Sequence, residues 1–256
     1  MKESFIDQLG RNISIMGVPK RIISLVPSIT ELLIDLGLEK SIVGRTKFCV
    51  HPKNVLKSIP IVGGTKQIHL DRIVALNPDL IIANKEENTK AQIEELEKSY
   101  PVWISDIATF DAALNMIEGL GKILRKEASS RHIIEQSRQL QQQLKRPQPR
   151  KVAYLIWRNP YMTIGGDTYI HDMLRLTGFE NVYGTDTRYP TITLTDLKKR
   201  QPEMILLSSE PFPFKQKHIK ELANDFPAIP IVLVDGEAFS WYGTRFLKTF
   251  EYLKNL

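Results

Sequence analysis

Residues 70–83 and 194–207 carry one hydrophobic pattern twice. Leu70-Asp71-Arg72-Ile73-Val74-Ala75-Leu76 and Leu194-Thr195-Asp196-Leu197-Lys198-Lys199-Arg200 each read as a short helix. Asn77-Pro78 and Gln201-Pro202 mark the stops, because a proline pushes the residue before it out of the α region. The apolar runs 80–83 and 204–207 lack polar alternation, as strands covered on both faces do. After each run come polar residues, an amphipathic helix and a second strand, which closes on Asp106 in one copy and Asp235 in the other. The pattern predicts two α/β lobes of similar plan, with parallel-type sheets.

Around the repeats, residues 5–15 read as a β-hairpin turning at 7–11. A buried strand at 21–26 is broken by Pro27-Ser28, and Ser28 or Thr30 can cap a helix over 31–36 that Gly37 closes. Strands follow at 42–44 and 61–65, separated by an irregular stretch at 45–52. From 111 to about 144 there are few breakers, and Ile117, Leu120, Leu124, Ile133, Leu140 and Leu144 give a partial helical stripe. One long, stiff helix ended by Pro147 and Pro149 is expected there. The second lobe opens with a strand at 151–157 and a short piece at 162–166. A helix capped by Asp167 or Thr168 follows and Gly178 stops it. A terminal amphipathic helix carries Phe246, Phe250 and Leu253. The expected organisation is an N-terminal lobe over 1–110, a linking helix over 111–147 and a C-terminal lobe over 148–256.

Hydrophobic content of 42% and charged content of 25% are those of a globular protein with a real core. No run approaches the roughly 20 apolar residues that span a bilayer. The first residues, Met1-Lys2-Glu3-Ser4-Phe5-Ile6-Asp7, lack the apolar core of a signal peptide, so the chain is expected either to stay in the cytoplasm or to begin after a removed export signal. The net charge of +6 is dispersed among acids, and its densest cluster (Lys145, Arg146, Arg150, Lys151) brackets a proline-broken linker. That reads as a solvated surface and not as a nucleic-acid interface.

In open parallel sheets, ligands bind beyond the carboxyl ends of the strands. Applied here, that rule gathers Pro27, Ser28, Phe48, Cys49, Gly64, Thr65, Asn84 and Lys85 from the first lobe. From the second it gathers Trp157, Arg158, Tyr161, Tyr189, Ser209, Trp241 and Tyr242. Large amphipathic rings at such loops suit a bulky, partly apolar ligand. Trp103, inside a strand, reads as core. Signals for catalysis are weak: there is no phosphate loop, no paired-histidine zinc motif and no Ser-His-Asp arrangement, and no catalytic residue or metal site is assigned. Cys49, the single cysteine, could form a nucleophile–base or metal-ligand pair with His51. A cytosolic α/β enzyme or metal-binding protein built on that pair is therefore the alternative reading, and a scaffold binding a protein through Glu86-Glu87 is a third.

The order of hairpin, Arg21-Ile22-Ile23-Ser24-Leu25-Val26-Pro27-Ser28-Ile29-Thr30-Glu31, Val62-Gly63-Gly64 and Leu70-Asp71-Arg72-Ile73-Val74-Ala75-Leu76-Asn77-Pro78-Asp79-Leu80-Ile81 resembles one family. It is that of the substrate-binding proteins of vitamin B12, haem and iron–siderophore ABC importers. Tyr189-Pro190 and Ser240-Trp241-Tyr242 make the cobalamin-binding branch the nearest, and the loop Phe48-Cys49-Val50-His51-Pro52 falls where that branch has an aromatic loop ending in proline. Asn84 stands where cobalamin binders have a tryptophan. The resemblance implies two lobes joined by one long helix with a ligand cleft between them, and a non-enzymatic monomer holding a bulky metal chelate. Cobalamin is favoured; haem and ferric siderophores stay open. It also implies a place in the periplasm or on the extracytoplasmic surface, and contact with the membrane only through a permease. Permease docking through one acid on each lobe is implied too, with Glu86 or Glu87 on the first and Asp196 or Glu210 on the second.

Overall fold

The structure, a computed structural model, describes residues 2–144 and 148–256. Lys145, Arg146 and Pro147, part of the expected basic linker and helix stop, lie outside the described residues. Two compact units emerge. The first holds the chain through Ile107, Asp111–Ser137 and Tyr242–Arg245; the second holds Ala108–Phe110, Arg138–Trp241 and Phe246–Leu256. The segment expected as a linker is thus largely part of the first unit, and a short piece near the C-terminus joins that unit too.

The first unit opens with strands β1 (Lys2–Ile6) and β2 (Asn12–Met16), an antiparallel hairpin as expected. Then come β3 (Ile22–Ser24), α1 (Pro27–Asp35), β4 (Ile42–Arg45), α2 (Lys53–Leu56), α3 (Leu70–Leu76), β5 (Leu80–Asn84), α4 (Lys90–Glu97) and β6 (Val102–Ser105). The four strands β4-β3-β5-β6 form a parallel sheet. Ile23, Leu25, Ile81, Ala83 and Ile104 pack with Ile73, Ile93 and Leu96 of the covering helices. β6 is an edge strand, and the hairpin turn covers it. Gln8 N–H donates to Ile104 O (3.2 Å), Asp7 Oδ2 accepts from Ile104 N–H (3.2 Å), and Arg11 Nη2 donates to Val102 O (3.1 Å). An edge satisfied this way offers no template for pairing with another chain. Residues 61–65 make only bridges, Ile61 to Arg45 and Gly63 to Ile68, in place of the expected strand. Gly63 turns at φ +132°, where a Cβ would lie 2.5 Å from Gln67 O.

The expected single helix from 111 to 144 is two helices, α5 (Phe110–Ile123) and α6 (Glu127–Gln142). Arg125 adopts a left-handed conformation at φ +55°. Lys126 N–H reaches Gly121 O at 2.8 Å and Arg125 N–H reaches Lys122 O at 3.4 Å. This is a Schellman closure without the usual glycine, and the Arg125 guanidinium pairs with Glu3 at 2.5 Å. Gly121 then lets the helices approach: a Cβ there would lie 2.7 Å from Ser130 Cβ.

The second unit comprises β7 (Arg150–Leu155), β8 (Tyr161–Met162), α7 (Tyr169–Leu176), β9 (Phe179–Asn181), β10 (Thr191–Ile192), α8 (Leu194–Arg200), β11 (Met204–Ser208), α9 (Gln216–Ala223), β12 (Ile231–Val234), α10 (Glu237–Ser240) and α11 (Phe246–Leu253). Its parallel sheet runs β9-β7-β11-β12, which is the order of the first sheet, second-first-third-fourth along the chain. Thr168 caps α7, its hydroxyl accepting from His171 N–H at 3.3 Å. The start of α5 packs here: Phe110 meets Phe246 and Phe250 edge-on at 4.9 and 5.5 Å, and its N–H donates to Asp172 Oδ2 at 2.7 Å.

The repeat extends to details the pattern did not hold. α3 and α8 both end on a left-handed residue before the proline, Asn77 (φ 42°, ψ 65°) and Gln201 (φ 50°, ψ 55°). Both residues avoid the right-handed region that the proline ring disfavours, by a sharper turn than the extended one expected. Asp79 then accepts from Lys20 and Arg21 N–H (2.8 and 2.9 Å), while Glu203 accepts from Lys151 N–H (2.7 Å). In each unit this acid ties the incoming strand to the start of the central one.

Candidate functional site

The strand-end rim of the first unit is organised by amide and hydroxyl side chains. α1 begins at Pro27 with Val26 as its N-terminal cap and no side-chain cap, so Ser28 and Thr30 do not play the expected capping role. The Thr30 hydroxyl instead lies 2.9 Å from Val26 O, 2.8 Å from Ser24 Oγ and 3.1 Å from Cys49 Sγ. Cys49 is buried, with Thr46 Oγ1 as a second partner at 3.3 Å, and burial pushes its thiol pKa up. A thiol so placed is neither an activated nucleophile nor a rim contact, which corrects both expectations for Cys49. Among the described residues, no group of three or more His, Cys, Asp or Glu side chains could hold a metal ion.

Asn84, expected on the rim, turns inward and is buried. Its Oδ1 accepts from Glu86 and Glu87 N–H (2.8 and 3.0 Å), and its Nδ2 donates to Ser105 Oγ (3.0 Å). Asn88, which the sequence did not single out, joins three loops. Its Oδ1 accepts from Asn84 N–H (2.8 Å), and its Nδ2 donates to Thr65 O (3.0 Å) and Leu25 O (3.4 Å). Pro27 and Ser28 are buried in the first turn of α1. Lys85 pairs with Asp106 at 2.6 Å. This rim also presents an exposed aromatic ring. Phe48 is 49% exposed, its ring lies against Gly64 (3.3 Å from an ideal Cβ there), and Lys47 Nζ stands 5.1 Å from the ring centre. Tyr242 belongs to this unit, and its hydroxyl donates to Glu87 Oε1 at 3.3 Å.

On the second unit, Trp157 follows β7 and is 40% exposed. Its ring meets Phe212 edge-on at 5.8 Å, and Phe212 continues to Phe214 (4.8 Å) and His218 (5.4 Å). His218 Nδ1 accepts from Lys215 N–H at 2.8 Å, so a proton of the neutral ring sits on Nε2; burial lowers its pKa and favours that neutral form. Arg158 pairs with Glu221 at 2.6 Å. Tyr161 sits in β8 opposite Ile192, and Tyr189 is half-buried, with the Arg188 guanidinium 5.5 Å from its ring. Ser209 Oγ accepts from Gly236 N–H at 2.9 Å. Trp241 is mostly buried. The Phe212-Pro213-Phe214 run was readable as an aromatic strand-end loop, but it lies past the polar residues at which the repeat pattern stops.

The acids differ in availability. Glu210 is half-buried, and its Oε1 accepts from Ser240 Oγ at 2.6 Å. One of its oxygens is thus already engaged within the second unit. Asp196 is exposed in a capping box, accepting from Thr193 Oγ1 (2.6 Å) and N–H (3.2 Å), and these bonds hold its pKa below the ordinary value. Asp71 is exposed in the corresponding first turn of α3, one position earlier in register. Glu86 and Glu87 are half-buried.

A family model described as periplasmic binding protein matches residues 22–229. A vitamin B12-binding protein of Vibrio campbellii (strain ATCC BAA-1116) is 28% identical over 219 residues, covering 83% of this chain and 79% of the relative. The fold matches a periplasmic vitamin B12-binding protein of Vibrio cholerae with a TM-score of 0.79 at 22% identity, over 93% of this chain and 96% of the other. A periplasmic haem-binding protein from Pseudomonas aeruginosa matches with a TM-score of 0.79 at 20% identity, over 93% and 92%. At these identities the structural likeness speaks for the fold alone.

Proposed function

From a chain that belongs to the periplasmic binding protein family, we propose capture of cobalamin outside the inner membrane and its delivery to the permease of an ABC importer. Proteins of this family bind and hand over; the chain is a receptor and not an enzyme, and the metal chelate is cargo, not a catalytic cofactor. The observation that carries the reading is the pair of exposed aromatic platforms at strand ends, Trp157 braced by Phe212 and Phe48 laid on Gly64. Flat, braced rings suit the apolar face and edges of a macrocycle. Charge favours a corrinoid among the chelates. Arg158, next to Trp157 in the chain, is already paired with Glu221 at 2.6 Å, so that cation is engaged before an anionic ligand arrives. A haem carries two carboxylates that need cations, whereas cyanocobalamin is neutral overall and edged with amides.

The test is a titration of the purified chain with cyanocobalamin, haemin and a ferric hydroxamate, followed by quenching of tryptophan fluorescence. The expected result is saturable quenching by cyanocobalamin at about micromolar concentration or below, some 8 kcal/mol of binding free energy, with the other two at least roughly tenfold weaker. Tighter binding of haemin or the hydroxamate reassigns the cargo. No response to any of the three removes the capture reading.

A further inference from the structure

We propose that Glu210 is a positioning residue for ligand capture, its carboxylate fixing the pose of the Trp241 indole on the rim of the second unit. The inference rests on the capture reading above. Glu210 lies just after β11, and Trp241 directly after α10. The carboxylate accepts from Ser240 Oγ at 2.6 Å and from the Trp241 side chain, so one acid gathers both donors at the end of that helix.

The loop bearing Glu210 is itself fixed. Ser208 Oγ donates to Glu210 O at 2.6 Å, and Ser209 Oγ accepts from Gly236 N–H at 2.9 Å. Gly236 is what lets the two strand-end loops touch, since a Cβ there would lie 2.5 Å from Glu210 Cγ and 2.9 Å from Glu210 N. The charged groups facing the carboxylate are Asp235 and Glu237, both acids. A half-buried carboxylate facing two acids is costly where it stands. Its two side-chain hydrogen bonds, received from neutral donors, are the return, and both fall on the segment that carries the indole. Burial also raises the Glu210 pKa, as the acids around it do.

The test labels the full chain with 5-fluorotryptophan, which gives one fluorine resonance each for Trp103, Trp157 and Trp241. Glu210→Ala is expected to shift or broaden the Trp241 resonance alone and to weaken cyanocobalamin binding by about tenfold, the scale of a lost hydrogen bond to a charged group. Glu210→Gln keeps an acceptor oxygen for either donor, and should return the resonance and bring the affinity to within about threefold of wild type. An unmoved Trp241 resonance in Glu210→Ala overturns the proposal, as does a Glu210→Gln protein no better than the alanine variant. If Glu210→Ala does not fold, Ser240→Ala removes one donor with the acid intact: a smaller shift of the same resonance supports the proposal, and none overturns it. A wild-type protein that binds none of the chelates instead sinks the capture reading, a result read from affinity and not from the fluorine spectrum.

Discussion

Replacing Arg245 with alanine is expected to destabilise the first unit by about 3 kcal/mol, visible as a lower urea midpoint at unchanged slope. Arg245 Nε and Nη2 donate to Glu31 Oε2 and Oε1 at 2.9 and 3.0 Å, and the two side chains are only 11% and 7% exposed. This two-pronged pair ties Tyr242–Arg245 to α1. Gly243 makes the approach feasible by turning at φ +92°, where a Cβ would lie 3.2 Å from Leu32 Cβ, and Thr244 adds a hydrogen bond to Asp35. Exposed ion pairs contribute little, but removing one member of a buried pair strips a desolvated carboxylate of its partner. Arg245→Met combined with Glu31→Gln should therefore cost less than Arg245→Ala alone. A change below about 0.5 kcal/mol on Arg245→Ala would place the pair with ordinary surface contacts.

Trp157→Ala is expected to weaken cyanocobalamin binding by about 2 kcal/mol, roughly thirtyfold, and Trp157→Phe by no more than about threefold. The indole is 40% exposed, so truncation costs the fold little, while the edge-on contact with Phe212 at 5.8 Å holds the ring ready before any ligand arrives. A pre-set aromatic surface loses little freedom on binding, which is why its removal is felt in affinity. Isothermal titration calorimetry measures this without relying on the fluorophore that is being removed. Equal affinities for wild type and Trp157→Ala would take Trp157 out of the site.

Much of the fold was legible because burial leaves a coarse mark on sequence. The runs ending at Ala83 and Leu207 are apolar without alternation and form the central strands β5 and β11, buried on both faces. The hairpin and the terminal helix were legible for the same reason. The break at Arg125 was not, because a left-handed arginine closed by backbone hydrogen bonds has no glycine or proline to announce it. β9 and β10 span only three and two residues, too short for any period to show.

The site was less legible, since side-chain direction depends on partners distant in the chain. Cys49 sits in an irregular polar and aromatic stretch that reads as a rim loop, yet Thr30, from α1, lies 3.1 Å from its sulfur. Asn84 has the chemistry of a ligand contact, but an amide at a strand end can equally fold back on the N–H groups two and three residues on, and here it does. Glu210 reads as a surface acid until Ser240, thirty residues on, is brought to 2.6 Å. Trp157 was readable as an exposed ring at a strand end. Its contact with Phe212 was not, because that contact links β7 and β11 loops 55 positions apart.

Hydrogen–deuterium exchange of the whole chain with and without cyanocobalamin tests most directly the claim that strand-end rims hold the ligand. Protection should appear in peptides covering residues 46–50, 63–67, 157–161 and 208–212, with none over 118–134. Protection confined to the N-terminal hairpin or to α5 and α6, or no protection at saturating ligand, would contradict the account.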